Sequence, residues 1–166
     1  MRHWLMKTEP SEFSLADLKR APDGTAPWDG VRNYQSRNHM RDGMRLRDRV
    51  LFYHSSTDPL AVVGTARIVR EAYPDETAWN PKSPYYDPRS TPEKPVWLRV
   101  DIRFESELPC PVTLAELRKL PELKDMLLLR KGMRLSIQPV TAEEFEAVLG
   151  HARRLAAAAK RQALLT

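Results

Sequence analysis

What this chain lacks narrows its chemistry first. It has one cysteine, Cys110, in 166 residues. That excludes an intramolecular disulfide and a cysteine-based zinc site. Its four histidines, His3, His39, His54 and His151, are scattered, so no pair stands at metal-ligand spacing. No Gly-rich phosphate loop and no Gly-x-Ser-x-Gly elbow is present, which argues against Rossmann, P-loop and α/β-hydrolase chemistry. The apolar runs are short, and none approaches a membrane span. The segment Met1–Lys7 is charged without a long apolar core, so no secretory signal is expected. With so little cysteine, the expected compartment is the cytoplasm. No cofactor and no metal is expected.

The formal net charge is +5, which invites a nucleic-acid partner. Its distribution qualifies that. Without Arg153, Arg154, Lys160 and Arg161, all beyond the last acidic residue, the balance is 23 basic against 22 acidic groups. Global basicity therefore belongs to the C-terminal tail. The local signal is six arginines between residues 28 and 49: Arg32, Arg37, Arg41, Arg45, Arg47 and Arg49. Arginine offers a planar fork suited to phosphates and base edges. A solvated charged face is the competing reading.

The length suits one domain. Residues 3–7 read as a strand, and Ser14 with Asp17 stand at capping-box spacing for a helix over 14–20. A short helix or turn is expected at 33–40, ending at Asp42-Gly43. Arg49–Ser55 reads as a strand buried on both faces, and Leu60–Val69 as its partner, with Gly64 marking a bulge or close approach. Residues 73–95 are proline-rich but carry Trp79, Tyr85 and Tyr86, so this loop should pack onto the body. Val96–Glu105 alternates as a strand, with Trp97 on the face opposite Val96, Leu98 and Val100. A short helix over 113–120 and a last strand over 134–139 follow. Thr141 and Glu144 open a final helix through a second capping box. Beyond about residue 151 the tail is Ala-rich and basic. The pattern is α+β, a small mixed β-barrel of five to six strands with flanking short helices.

The most informative stretch is Trp28–Asn38. It places Trp28 and Tyr34 among Asn33, Gln35, Ser36 and Asn38, with Arg32 and Arg37 interspersed. Rings stack on planar ligands, and amides and guanidiniums read their edges. Trp28 is thus either a stacking wall or a core tryptophan. Tyr34 is a second wall or a helix-packing ring. Asn33, Gln35 and Asn38 read an edge or cap the local turn. Arg32 and Arg37 meet phosphates or form surface ion pairs. His54 and Ser55, at a strand end, either bond a base or are structural. Lys82 and Tyr85 close over a ligand or form scaffold. Ser136 and Gln138 share one face of the last strand, expected to look onto solvent or a cleft.

Six motifs occur in order: Trp4-Leu5-Met6-Lys7-Thr8-Glu9-Pro10, Trp28–Asn38, Phe52-Tyr53-His54-Ser55, Tyr73-Pro74-Asp75 ahead of Thr77, Trp97-Leu98-Arg99-Val100-Asp101, and Arg134-Leu135-Ser136-Ile137-Gln138-Pro139-Val140. Together they resemble an EVE domain of the PUA-like superfamily, over residues 1–150, with residues 151–166 outside it. The resemblance implies a PUA-like fold and a non-catalytic reader of a modified base in RNA or DNA. Relatives in that superfamily hold a methylated adenine of RNA in an aromatic cage. The expected ligand-binding set is Trp28, Asn33, Tyr34, Gln35, Arg37, Asn38, His54, Ser55, Lys82, Tyr85, Ser136 and Gln138. The expected partner is nucleic acid carrying a modified base, with no membrane. Two alternatives stand. One is a nucleoside hydrolase using Lys7, Thr8 and Glu9, although on a regular strand Thr8 would face away from the other two. The other is a protein–protein adaptor using the proline-rich loop.

Overall fold

The computed structural model describes all 166 residues. Strands β1 (His3–Thr8), β2 (Thr25–Trp28), β3 (Arg49–His54), β4 (Ala61–Pro74), β5 (Leu98–Thr113) and β6 (Ile137–Val140) form one sheet in the order β2-β5-β4-β3-β1-β6. Helices α1 (Leu15–Arg20), α2 (Tyr34–Asn38), α3 (Leu114–Leu117) and α4 (Ala142–Leu164) flank it. Only β1 and β3 are parallel; every other pair is antiparallel. Both capping boxes form. Ser14 and Asp17 start α1, and Thr141 and Glu144 start α4. Each box satisfies helix-end N–H groups that would otherwise lack partners.

The continuous apolar runs of β1 and β3 make sense because both strands are covered on both faces. Trp4, Met6, Val50 and Phe52 point into one cluster with Leu18, Trp28 and Ile102. Leu5, Leu51 and Tyr53 point into the other, against Phe145 and Val148 of α4. The sheet curls tightly around the first cluster. Trp28 on β2 meets Phe52 on β3 edge-to-face, with ring centroids 5.7 Å apart. Two strands lie between β2 and β3, so a flat sheet would hold these rings about 14 Å apart.

The expected α+β, PUA-like mixed architecture of six strands is present, but the barrel is not closed. Strands β2 and β6 are the two edges and do not pair with each other. Each is four residues long and carries a proline, Pro27 or Pro139. Proline has no N–H to extend a ladder, so both edges are blunted.

Several boundaries differ from the sequence reading for one reason. Strands β4 and β5 run well past the expected ends, to Pro74 and Thr113, because four register shifts bend the pair as it curls. Bulges break the period-two pattern by which a strand is recognised. Gly64 sits beside one of these shifts, and an added Cβ there would lie 2.7 Å from the Ser106 carbonyl oxygen. Trp97 precedes β5 rather than lying on its outer face; it is buried, and its Nε1–H donates to Asp87 at 2.8 Å. The last strand starts three residues later than expected. The basic tail simply continues α4, with its side chains exposed from Ala157 onward.

Candidate functional site

Where the barrel fails to close, a cavity of about 530 Å³ opens. The edge strand β2 contributes Ala26, Pro27 and Trp28, and the loop after it contributes Asp29, Gly30 and Arg32. Across the gap lie Lys7, Thr8 and Glu9 at the end of β1, and Ser136 just before β6. Glu12, Phe13 and Tyr85 complete the wall.

A buried carboxylate holds the wall in place. Asp75 accepts the Gly30 N–H at 2.9 Å, the Arg32 guanidinium at 3.0 Å and the Thr77 hydroxyl at 2.6 Å. Burial pushes its pKa up, but hydrogen bonds from Thr77, Gly30 and Arg32 together hold it below the usual carboxylate range. Arg32 also donates to the Tyr85 carbonyl at 2.8 and 3.0 Å. The proline-rich loop is thereby tied to the loop after β2. The Tyr85 ring lies directly over Gly30, whose φ of +79° and missing Cβ make room for it. The Tyr85 hydroxyl reaches Glu12 at 3.2 Å.

Charge in the cavity is mixed. Asp29 has its pKa raised, first by burial and then by the neighbouring Asp75 carboxylate. Burial lowers the pKa of Lys7. Trp28 belongs to both of its candidate roles: it packs in the core with 8% exposure, and it lines the cavity.

Of the twelve expected ligand residues, the cavity brings together Trp28, Tyr85 and Ser136. The others lie elsewhere, each for a visible reason. Asn33 is the N-cap of α2, its side-chain oxygen accepting the Ser36 N–H at 2.9 Å. Tyr34 stacks on Trp97 at 4.9 Å and carries the Arg37 guanidinium on its face. Arg37 donates to the Val96 carbonyl and to Asn38, which occupies both partners. Gln35 is exposed on α2. His54 lies outside this cavity: its Nε2 accepts the Leu15 N–H at 3.2 Å, and burial lowers its pKa. Ser55 donates its N–H to the Thr8 carbonyl and lines a different groove. Lys82 is exposed on the long loop. Gln138 does not face a cleft; it is buried and donates to the Leu135 carbonyl at 2.9 Å. Strand β6 is covered on both sides, so alternation there does not separate polar from buried.

Lys7, Thr8 and Glu9 all line the cavity, contrary to strand alternation, because β1 ends at Thr8. The Thr8 hydroxyl donates to the Phe13 carbonyl at 2.9 Å. Sequence reasoning missed Glu12, Phe13 and Asp29. Asp29 stood inside the most informative segment, whereas nothing local marked Glu12 or Phe13. No three His, Cys, Asp or Glu side chains are grouped to hold a metal ion, and no helix is long and apolar enough to cross a membrane.

Residues 2–151 match the model of the EVE domain. Human thymocyte nuclear protein 1 is 43% identical over 164 residues, covering 89% of this chain and 72% of that protein. A Pseudomonas syringae protein of known structure is 45% identical, with a TM-score of 0.86 over 90% of this chain and 99% of that one. The crystal structure of human THYN1 protein in complex with 5-methylcytosine-containing DNA is 41% identical, with a TM-score of 0.86 over 92% of this chain and 98% of that one. The expected cytoplasmic location does not survive this comparison, since curated relatives from human, mouse and zebrafish are named as nuclear proteins. Scarce cysteine marks a reducing compartment, and nucleus and cytoplasm are both reducing, so it does not separate them. The fold, the order of motifs and the match over nearly the whole chain agree: this chain belongs to the EVE domain family.

Proposed function

We propose that this protein is a non-catalytic reader that takes a modified base, flipped out of a nucleic-acid strand, into the cavity lined by Trp28 and Tyr85. The observation that carries this reading is a cavity, in the size range of small-ligand sites, with three rings and several carboxylates at the open seam of the sheet. Rings supply stacking for any base face. Carboxylates accept hydrogen bonds from exocyclic amino groups, as Asp or Glu does from cytosine N4. Asp29 and Glu12, which line the cavity, would take that role, with Phe13 and Val31 as apolar contacts for a methyl group. The relative whose structure holds 5-methylcytosine-containing DNA supports the same ligand class.

The test compares matched DNA oligonucleotides with cytosine or 5-methylcytosine at one position. Wild-type protein should prefer the modified one. Tyr85→Ala and Trp28→Ala should each weaken binding about 5- to 150-fold, the equivalent of about 1–3 kcal/mol of stacking. Tyr85→Ala is the cleaner probe because Trp28 also supports the core. Unchanged affinity in a folded Tyr85→Ala protein would refute the assignment.

One observation favours a second reading, a nucleoside hydrolase: Lys7, Thr8 and Glu9 share the cavity. Against it, the Thr8 proton is directed at a backbone carbonyl, which is no base. Incubation with acylated and alkylated nucleosides should give no turnover, and any Lys7-dependent product would reverse this ranking.

A further inference from the structure

The arginines that made residues 28–49 look like a phosphate track are mostly engaged. Arg32 pairs with Asp75, Arg41 with Asp42, and Arg49 with Glu105. Arg37 and Arg45 donate to backbone carbonyls. Cations without a carboxylate partner collect elsewhere, Arg118 among them donating only to the Leu129 carbonyl at 3.3 Å. A groove of about 440 Å³ is lined by Lys7, Arg118, Arg130, Lys131 and Arg134, and no acidic residue lines it. The last four are exposed, and none has a carboxylate within ion-pair distance.

The groove adjoins the seam cavity at Lys7. Lys7 lines both, and Arg134 lies two residues before Ser136, which lines the cavity wall. Arg130 and Lys131 stand on one tight turn, and Arg134 follows it directly. The Met133 N–H donates to the Arg130 carbonyl at 3.2 Å, and Gly132 takes a φ of +77°. Nothing lies within 4 Å of where a Gly132 Cβ would stand, so the turn is open to solvent. The rest of the groove floor, including Tyr53 and Leu128, is buried in the second core cluster, which gives the cations a fixed base.

We infer that this groove carries the phosphodiester backbone next to the base held in the cavity, so that the strand enters over the Arg130–Arg134 turn and passes Lys7. The inference rests on the base-reading proposal and adds the direction of the strand. Exposed arginine and lysine without partner carboxylates neutralise phosphates by releasing condensed counterions, which makes binding depend steeply on salt. A backbone contact of this kind positions the strand and does not distinguish bases.

The test measures binding of a single-stranded DNA oligonucleotide carrying 5-methylcytosine, and of its unmodified counterpart, across a salt series. A triple variant, Arg130→Gln with Lys131→Gln and Arg134→Gln, removes only exposed charges. Each lost phosphate contact lowers the log–log salt slope by about 0.7, so the triple variant should lose about two units, or about 100-fold in affinity near 0.1 M salt. Both oligonucleotides should lose the same factor. An unchanged slope overturns the inference. So does an equal loss per charge from Lys160→Gln with Arg161→Gln on α4, because net charge would then suffice. So too does a slope change seen with anionic lipid vesicles and not with DNA. Wild-type protein that discriminates the two oligonucleotides while the triple variant keeps its slope would sink the groove alone. Wild-type protein that binds both equally while the triple variant loses slope would sink base reading and leave the groove. No binding to either oligonucleotide sinks both.

Discussion

Substituting Gly30 with alanine tests how the cavity wall is built. Gly30 has a φ of +79°, where a residue with a Cβ is strained by about 1–2 kcal/mol. The added Cβ would also stand 2.8 Å from two carbons of the Tyr85 ring, closer than real Cβ contacts come. The ring must then shift, which loosens the hydrogen bond from its hydroxyl to Glu12, a contribution of about 0.5–1.5 kcal/mol. The sum is about 1.5–3.5 kcal/mol. For a chain of this size that lowers Tm by about 3–14 °C. Urea denaturation of Gly30→Ala in wild-type and Tyr85→Ala backgrounds separates the two causes. In the Tyr85→Ala background the cost should fall to the backbone strain alone, about 1–2 kcal/mol. Equal costs in both backgrounds would refute the contact between Gly30 and the ring. A cost below about 0.5 kcal/mol in wild type would refute the strain as well.

Other outcomes follow from buried carboxylates. Asp48 is buried and accepts the Arg2 N–H, the Trp4 indole N–H and the Arg45 N–H at 2.9–3.0 Å. Asp48→Ala leaves three donors without a partner and should cost about 3 kcal/mol or more in urea denaturation, with Asp48→Asn costing less. Asp29 and Asp75 should respond to pH with opposite signs. The Asp29 pKa is raised in the fold, so its ionised form opposes folding at neutral pH, and that penalty disappears as pH falls below the unfolded value of about 3.8. Asp29→Asn should therefore stabilise the protein at pH 7, with the gain vanishing in acid. The Asp75 pKa is depressed, so its contribution is fully present above the unfolded value and is lost as pH falls through the folded one. Asp75→Asn should destabilise at pH 7, with the difference shrinking in acid. Thermal denaturation between pH 3 and 7 distinguishes the two patterns.

Local chemistry was legible in the sequence wherever a contact spans three or four residues. The boxes at Ser14–Asp17 and Thr141–Glu144, the helix cap at Asn33 and the doubly buried run of β3 needed no knowledge of the remote chain. The family was legible too, because six motifs in order span nearly all of the chain. The composition of the cavity was not. Lys7, Glu12, Asp29, Tyr85 and Ser136 come from distant segments and meet only because the sheet curls until its two edges face each other without pairing. The arginines show the same division. Counting residues found a cluster at 28–49, but a guanidinium is free for a ligand only when no carboxylate has reached it. Asp75 and Glu105, which engage Arg32 and Arg49, arrive from other strands and loops. Sequence by itself determined which groups this protein has and how each short segment folds. Tertiary structure decided which of those groups remain unpaired, because pairing depends on distance in space.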